Sequence, residues 1–160
     1  FEPKAIVQLK WPNDLYHGGE KFAGILINLI PKQQHTEVIV GIGINWQLTA
    51  EQLESIDQPV CNLPLPQLAL NQKPSRSLFI AQLVAHIESH NQQFIQQGLS
   101  GFLGQWQKHD YLLNQRIAVS GEHQLETGEY QGINQQGELL LQTSQGIKTF
   151  CSGEVSVKAV

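Results

Sequence analysis

Asn13, Asp14 and Lys21 are the side chains near the beginning of the chain that could act on anions or hold a metal ion. A lysine ammonium is a compact positive charge that can offset a carboxylate or a phosphate, and Mg²⁺ takes carboxylate and amide oxygens as ligands. The spacing alone leaves a simpler interpretation open, in which Asn13 and Asp14 form a turn and Lys21 is a solvated lysine of a hairpin.

The residues around this group predict the strands that must position it. Asn13-Asp14 and Gly18-Gly19 have the chemistry of turns, and they separate apolar runs with the composition of strands. Short connections between consecutive strands favour an antiparallel meander. The three predicted strands are a run ending at Pro12, a nearly continuous apolar run from Phe22 to Ile30, and a run from Glu37 to Asn45.

The middle of the chain is predicted to be irregular at first and then helical. Residues 46–74 contain four prolines, which interrupt every local pattern. Apolar residues then return with the period of a helix. We expect one helix from Ser75 or Ser77 to Gly98, backing the sheet, and a second short helix around Leu99 to Trp106. His86 and His90 lie four residues apart on the first helix, which without a third ligand is more typical of an exposed face.

The residue pattern of the sequence changes again after Asp110, where short predicted strands alternate with predicted turns. Five strands in so short a stretch predict a small barrel. We place a domain boundary near Leu112, which gives one domain over residues 1–111 and a second over residues 112–160. The five predicted strands are RIAVS, EYQGIN, ELLLQTS, GIKTF and EVSVKA.

Composition narrows the class of protein. The formal net charge is −4, which gives no basic surface for nucleic acid or an anionic membrane. No apolar run has the length of a transmembrane helix, and no signal peptide is visible. Cys61 and Cys151 are too few for a disulfide framework, so a reducing cytoplasm is expected. The chain has no methionine, and its first residues, from Phe1, already alternate like those of a strand, so we expect it to be part of a longer protein.

Three motifs in order resemble the catalytic domain of biotin protein ligases. They are KWPND at 10–14, EKFAGIL at 20–26 and GIGIN at 41–45. The tail GEYQGINQQGELLLQTSQGIKTFCSGEVSV resembles the C-terminal SH3-like barrel of the same family. The resemblance implies an α/β (α+β) fold. Residues 1–111 would form part of a catalytic domain like those of biotin ligases and class II aminoacyl-tRNA synthetases, and residues 112–160 the SH3-like barrel.

The resemblance also implies an activity. Such enzymes join biotin to ATP to give biotinyl-5′-adenylate and pyrophosphate, and then transfer the biotinyl group to a lysine of a biotin carboxyl carrier protein. The first step brings a carboxylate to a phosphate. Two unit charges 4 Å apart interact by about 4 kcal/mol at an effective dielectric of 20. Positive charge from a lysine and from Mg²⁺ would offset that repulsion.

Site residues follow from the resemblance, position by position. Lys21 would be the catalytic residue that contacts the biotin carboxylate. Glu154 and Lys158 match positions that face the nucleotide side of the active site in the family, and Lys158 stands where relatives often carry arginine. The implied biotin-binding residues are Lys21, Gly24, Leu26 and Gly41; the implied ATP-binding residues are Asn13, Asp14, Asn45 and Lys158; the implied Mg²⁺ ligands are Asp14 and Asn45. Trp11 is expected to pack beneath the loop, and Trp46 could either face adenine or join the core.

Two other functions stay open at this point. One is a lipoate-type ligase of the same superfamily, against which the KWPND context and the barrel argue. The other is a ligand-binding transcriptional regulator or an inactive ligase-like module. The family's Gly/Arg-rich adenylate loop lies upstream of KWPND and is absent from these residues, so we expect the chain alone to be inactive. A homodimer is compatible with the sequence, and DNA would be a partner only if a winged helix preceded Phe1. No membrane partner is expected.

Overall fold

The computed structural model describes residues 7–64, 75–121, 125–152 and 156–159. Its first part is a sheet of four antiparallel strands, in the order β1-β2-β3-β4, followed by helices. The strands are β1 (Gln8–Lys10), β2 (Asp14–His17), β3 (Glu20–Pro31) and β4 (Thr36–Ile44), and the helices are α1 (Ala50–Glu54), α2 (Arg76–Gln97), a 3₁₀ turn (Leu99–Gly101) and α3 (Leu103–His109).

The predicted turn at Asn13-Asp14 is only partly correct, because a short strand, β2, begins at Asp14. Asp14 is the first residue of β2, where it pairs with Lys10 on one side and with Gly24 on the other. The Tyr16 side chain is only 7% exposed, and its burial helps to hold β2 in place. The polar residues around Tyr16 give the sequence no recognisable strand pattern here. Gly18 and Gly19 have φ of 59° and 92°, which confirms the predicted turn between β2 and β3.

The long pair of β3 and β4 sets which side chains share a face. Gly24 is directly opposite Gly43, and Leu26 is directly opposite Gly41. Because successive side chains of a strand point to opposite faces, these four residues lie on one face of the sheet. The other face carries the apolar residues Ile25, Ile27, Leu29, Val38, Val40 and Ile42.

The long helix α2 begins and ends where the sequence predicts. The Ser75 side chain accepts a hydrogen bond from the Leu78 amide, and Gly98 ends the helix with φ of 63°. The helix α2 packs against the sheet more loosely than predicted, since no residue of α2 is buried. A groove of about 400 Å³ separates it from β4. At this groove the rings of Trp46 and Phe79 have centroids 5.0 Å apart.

The prediction of irregular structure is wrong over α1. Thr49 caps this helix, and its side chain and that of Gln52 each accept a hydrogen bond from the other residue's backbone. The predicted structure of residues 65–74 lies outside the described residues. The described part of the chain has no helix that is long and apolar enough to cross a membrane.

A second antiparallel sheet follows, in the order β8-β7-β6-β5-β9. Its five strands confirm the number predicted from the sequence. Its core consists of fully buried side chains such as Ile117, Tyr130 and Leu139, and Trp11 from the first part of the chain packs into the same core. The strands are β5 (Arg116–Ser120), β6 (Leu125–Ile133), β7 (Leu139–Thr143), β8 (Gly146–Phe150) and β9 (Ser156–Ala159).

Candidate functional site

Lys21 and Asp14 form an ion pair at the end of the hairpin between β2 and β3. The distance from Lys21 Nζ to Asp14 Oδ1 is 2.6 Å, and the two side chains are 25% and 21% exposed. The pair is therefore partly shielded from water but open to a ligand. The sequence placed these two residues in one site, and the structure brings them into contact.

Gly24 lies directly under this ion pair. A Cβ atom built on Gly24 would be 3.2 Å from Asp14 Oδ1 and 3.4 Å from Lys21 Nζ. The contact with Asp14 is tighter than an ordinary van der Waals contact and the one with Lys21 is at its lower limit, so a side chain here would press on the pair. Glycine thus has a specific role at this position, which is to let the two charged groups lie close to the strand.

The other predicted biotin-binding residues lie beside this pair on the same face of the sheet. Leu26 is 61% exposed, and its register partner Gly41 presents no side chain there. The result is an open, apolar floor next to a cation. Such a surface suits a ligand with a flat apolar part and a carboxylate.

Asn13 and Asn45 are held by hydrogen bonds to the backbone of β3 and its neighbours. The Asn13 side chain donates to the Ile25 carbonyl oxygen over 2.7 Å. The Asn45 side chain donates from Nδ2 to the carbonyl oxygens of Cys61, at 3.0 Å, and Lys21, at 3.4 Å. In both residues the amide oxygen is the side-chain atom left to accept a hydrogen bond or to meet a cation.

A cleft of about 440 Å³ opens between the first residues of β3, the end of β4 and the segment 56–60. Lys21, Gly24 and Asn45 line it, together with Val60 from that segment. β4 ends before it reaches Lys21, and the segment around Val60 lies beside Lys21 instead. Lys21 N donates a hydrogen bond to Pro59 O, and Cys61 N donates one to Lys21 O, each over 3.1 Å. Sequence reasoning missed this segment, whose only signal is a strand-forming Val-Cys pair after proline.

Tyr16 is a second neighbour that the sequence did not reveal. It pairs with Lys21 across the hairpin, and the Lys10 ammonium donates to its hydroxyl over 3.2 Å. Burial raises the pKa of the Tyr16 phenol, the Asp14 carboxylate raises it further, and Lys21 acts in the opposite direction. The phenol therefore stays protonated at neutral pH and keeps the hydroxyl as a donor.

Lys158 is the predicted site residue that stands apart. It lies on β9 opposite Ala118, and its side chain is exposed. No contact among the described residues joins it to Lys21, Asp14 or Asn45. Glu154, its predicted neighbour, lies outside the described residues.

The residues of the site fit a magnesium ion only if a substrate supplies most of the ligands. Asp14 offers one carboxylate and Asn45 one amide oxygen, which are the oxygen ligands that Mg²⁺ accepts. Within the described ranges no group of three or more His, Cys, Asp or Glu side chains could form a protein-only metal site. This donor set resembles sites at which phosphate oxygens and water complete the shell.

Comparison with known proteins finds a matching sequence family for each of the two sheets. Residues 2–45 match the biotin/lipoate A/B protein ligase family, and residues 112–158 match the biotin protein ligase C-terminal domain. The bifunctional ligase/repressor BirA of Escherichia coli K12 is 32% identical over 155 residues, which are 96% of this chain and 47% of that protein. BirA of Bacillus subtilis 168 is 25% identical over 150 residues, or 93% of this chain and 46% of that protein.

Solved structures agree with these sequence matches. The biotin protein ligase of Aquifex aeolicus is 26% identical, with a TM-score of 0.76 over 96% of this chain and 65% of that chain. Its complex with biotin and ATP is 25% identical, with a TM-score of 0.75 over 96% of this chain and 62% of that chain. The chain spans about half the length of the BirA proteins that it matches.

Proposed function

We propose, from the premise that this chain belongs to the biotin protein ligase family, that the complete protein joins biotin to ATP and transfers the biotinyl group to a carrier protein. The observation that supports this best is the Lys21–Asp14 ion pair over Gly24, beside the open apolar floor of Leu26 and Gly41. A cation next to an apolar floor suits biotin, which has an apolar bicyclic body and a carboxylate.

In this proposal Lys21 brings the two reacting anions together. Its ammonium would contact the biotin carboxylate and then the oxygens of the phosphate that it attacks. A preorganised cation in a partly dry site stabilises charge that develops in the transition state. Asp14 would hold the ammonium at the surface of β3 until substrate arrives, since the two groups lie 2.6 Å apart.

Asn13, Asn45 and Asp14 would serve the ATP end of the site. Their free oxygens can accept hydrogen bonds from the nucleotide or meet Mg²⁺, and Asp14 and Asn45 are the residues that would hold the ion. Mg²⁺, when bound with ATP, would supply positive charge to the phosphates. Lys158 would add a phosphate contact from the second sheet.

The product would be the carboxylate–phosphate mixed anhydride, biotinyl-5′-adenylate, with pyrophosphate as the leaving group. The ε-amino group of one lysine of a biotin carboxyl carrier protein would then attack the activated carbonyl and release AMP. We place the protein in the cytoplasm, where both substrates and carrier would be found and where a reducing environment would disfavour a disulfide between Cys61 and Cys151.

The two alternatives have less support. A lipoate-type ligase fits the match over residues 2–45, which covers both kinds of ligase, but not the match of residues 112–158 to a domain of biotin protein ligases. The names of the BirA relatives include a repressor role. We expect DNA as a partner of the complete protein only if a winged helix precedes Phe1, and the net charge of −4 gives these 160 residues no basic surface of their own for DNA.

The experiment is an assay of the complete protein with biotin, ATP, Mg²⁺ and a biotin carboxyl carrier protein. Pyrophosphate release should require both biotin and ATP, and the carrier should gain one biotinyl group at a lysine. Lipoate in place of biotin is the matched substrate control and should support neither reaction. Equal turnover of lipoate would favour the lipoate-type ligase, and no turnover of either acid would refute the proposal.

A further inference from the structure

Asp110 occupies the point where the two sheets and α3 meet. Its Oδ2 atom accepts hydrogen bonds from the indole of Trp106 in α3, at 2.9 Å, and from the hydroxyl of Tyr130 in β6, at 2.8 Å. Its Oδ1 atom accepts from the Leu112 amide at 3.1 Å. One carboxylate therefore connects a helix, a strand of the second sheet and the backbone that leads into that sheet.

The backbone at Asp110 is also attached to the first sheet. Asp110 forms a bridge with Leu9 of β1, and the Tyr111 amide donates to the Leu9 carbonyl oxygen over 2.9 Å. One residue earlier, His109 Nδ1 lies 2.9 Å from the Val7 carbonyl oxygen. The carboxylate and its own backbone thus hold opposite sides of the same junction.

From this junction, direct contacts lead to the candidate site. The ring of Tyr111 stacks on the ring of Tyr16, with centroids 4.8 Å apart and planes at 22°. Tyr16 in turn pairs with Lys21 across the hairpin. On the other side of the junction, the Trp11 indole donates to the Gly137 carbonyl oxygen over 2.9 Å and is buried in the core of the second sheet.

We propose that Asp110 is a positioning residue for the ligase reaction: its carboxylate fixes the second sheet against β1 and β2, and so sets where that sheet lies relative to Lys21. This inference rests on the proposed function for its meaning in catalysis, but its structural part can be tested without any activity. Asp110 contacts none of the predicted substrate residues, and its effect on the reaction would pass through Tyr130 to the second sheet, which carries Lys158.

A carboxyl group suits this task better than an amide would. Three donors converge on its two partly buried oxygens, both of which can accept hydrogen bonds. An amide in its place has one acceptor oxygen and one NH₂ group. In Asp110→Asn at least one of the three donors would therefore face another donor, which leaves a buried polar group unsatisfied.

Single substitutions can remove the hydrogen bonds of Asp110 one at a time. Tyr130→Phe removes the hydrogen bond to the second sheet and keeps the ring, whereas Trp106→Phe removes the one to α3. Tyr111→Phe is the matched control, because it also removes one phenol oxygen at the junction. Its hydroxyl lies near Gly19, 3.8 Å from a Cβ built there, and the Tyr111 ring can keep its stack on Tyr16.

The first measurement is hydrogen exchange of the Trp11 indole N–H, followed by NMR in the complete protein. That group is bonded to Gly137 and reports whether the second sheet stays in place. Loss of one charge-assisted hydrogen bond should speed this exchange about tenfold or more in Asp110→Asn and in Tyr130→Phe. Tyr111→Phe should leave it unchanged.

The second measurement is the steady-state kinetics of adenylate formation in the same variants. Lys158 is the predicted substrate contact on the second sheet, whereas the predicted biotin contacts lie on β3 and β4. The KM for ATP should therefore rise about fivefold or more, on the order of 1 kcal/mol, while the KM for biotin stays close to the wild-type value.

The possible outcomes are distinct. If the Trp11 exchange rate stays at its wild-type value in Tyr130→Phe, which keeps the packing of the ring, Asp110 does not hold the sheets together. Faster exchange with equal rises in both KM values would also overturn the positioning role, because it would indicate general loosening. If the wild-type protein has no ligase activity, the proposed function fails, and the exchange experiment still decides whether Asp110 joins the sheets.

Discussion

Gly24 lies so close to Asp14 that a Cβ atom built on the glycine would be 3.2 Å from the Asp14 Oδ1 atom. The same Cβ would be 3.4 Å from Lys21 Nζ, so the glycine fixes how near the ion pair lies to the sheet. The site therefore depends on a residue without a side chain as much as on the two charges.

Gly24→Ala should impair adenylate formation more than it impairs folding. The added methyl group has to displace the Asp14 carboxylate, and with it the ion pair, by a few tenths of an ångström. Misplaced catalytic groups can lose up to about 10²-fold in rate. Initial rates of pyrophosphate release and thermal unfolding should be measured together. Gly104→Ala is the control, since a Cβ there meets no atom within 4 Å. A wild-type rate in Gly24→Ala would show that the close approach has no role in catalysis.

Lys21→Ala should lower the rate of biotinyl-adenylate formation by about 10²–10³, which is typical when one transition-state contact is lost. No other described cation pairs with Asp14, so no neighbouring group would replace the lost ammonium in the site. Pyrophosphate release with biotin, ATP and Mg²⁺ is the measurement. Lys32→Ala is a matched control, because Lys32 also pairs with a carboxylate, that of Glu37, at 3.5 Å. A rate near that of the wild type would remove Lys21 from the mechanism.

Asp14→Asn should raise the Mg²⁺ concentration required for activity several-fold, since it removes the one carboxylate that we assign to the ion. Its strand pairing with Lys10 and Gly24 uses the backbone, so the fold should survive. Activity is titrated against Mg²⁺, with circular dichroism as the check on folding. Glu37→Gln, which also breaks an ion pair with a lysine, should not change the Mg²⁺ titration. If Asp14→Asn unfolds, Asp14 is chiefly a structural residue.

Stability should depend on pH through Asp110. Burial raises the pKa of this carboxyl above its ordinary value of 3.8, and hydrogen bonds from Tyr130, Leu112 and Trp106 only partly offset that effect. The folded state therefore binds the proton more tightly than the unfolded state. The stability that this group contributes is present below the unfolded pKa and is lost as pH rises through the folded pKa.

The test compares wild type with Asp110→Asn in chemical denaturation between pH 7 and about 4. The free energy of unfolding of the wild type, relative to the variant, should increase as the pH falls through this range. Glu54→Gln, which removes an exposed carboxylate on α1, should show no such trend. A difference between wild type and Asp110→Asn that does not change with pH would contradict the prediction.

The 160-residue chain by itself should self-associate. One face of the first sheet carries Leu29 and Val38, which are opposite each other and 64% and 56% exposed, and further apolar residues extend this patch. A contiguous apolar surface of this kind favours association. Size-exclusion chromatography with light scattering measures the mass against concentration. Leu29→Lys should shift the chain toward monomer, whereas Gln34→Lys, which adds the same charge on a polar loop, should not.

Local sequence patterns were sufficient for the long elements. The apolar runs of β3 and β4 and the helical period of α2 are properties of neighbouring residues, and so are the Ser75 cap and the Gly18-Gly19 turn. The short elements β2 and α1 were missed because their residues are mostly polar. What holds β2 is the burial of Tyr16, which depends on distant contacts.

The candidate site divides in the same way. Lys21, Asp14 and Gly24 could be placed together because they lie within one hairpin. The roles of Val60 beside Lys21 and of Asp110 between the sheets could not be predicted, because each depends on a partner far away in the sequence. A residue's type indicates which bonds it can form, but only the fold determines which atoms are within reach.

The burial of Trp11 in the second sheet sets an order of events during synthesis. Its indole is bonded to Gly137, which is 126 residues later in the chain. A ribosome that adds about 5–20 residues per second needs roughly ten seconds to reach that partner. Until then Trp11 has no core to enter, although the neighbouring Asn13 and Asp14 can already contact β3. Products that terminate before the second sheet would therefore expose this indole, and exposed apolar surface of this kind favours aggregation until the second sheet covers it.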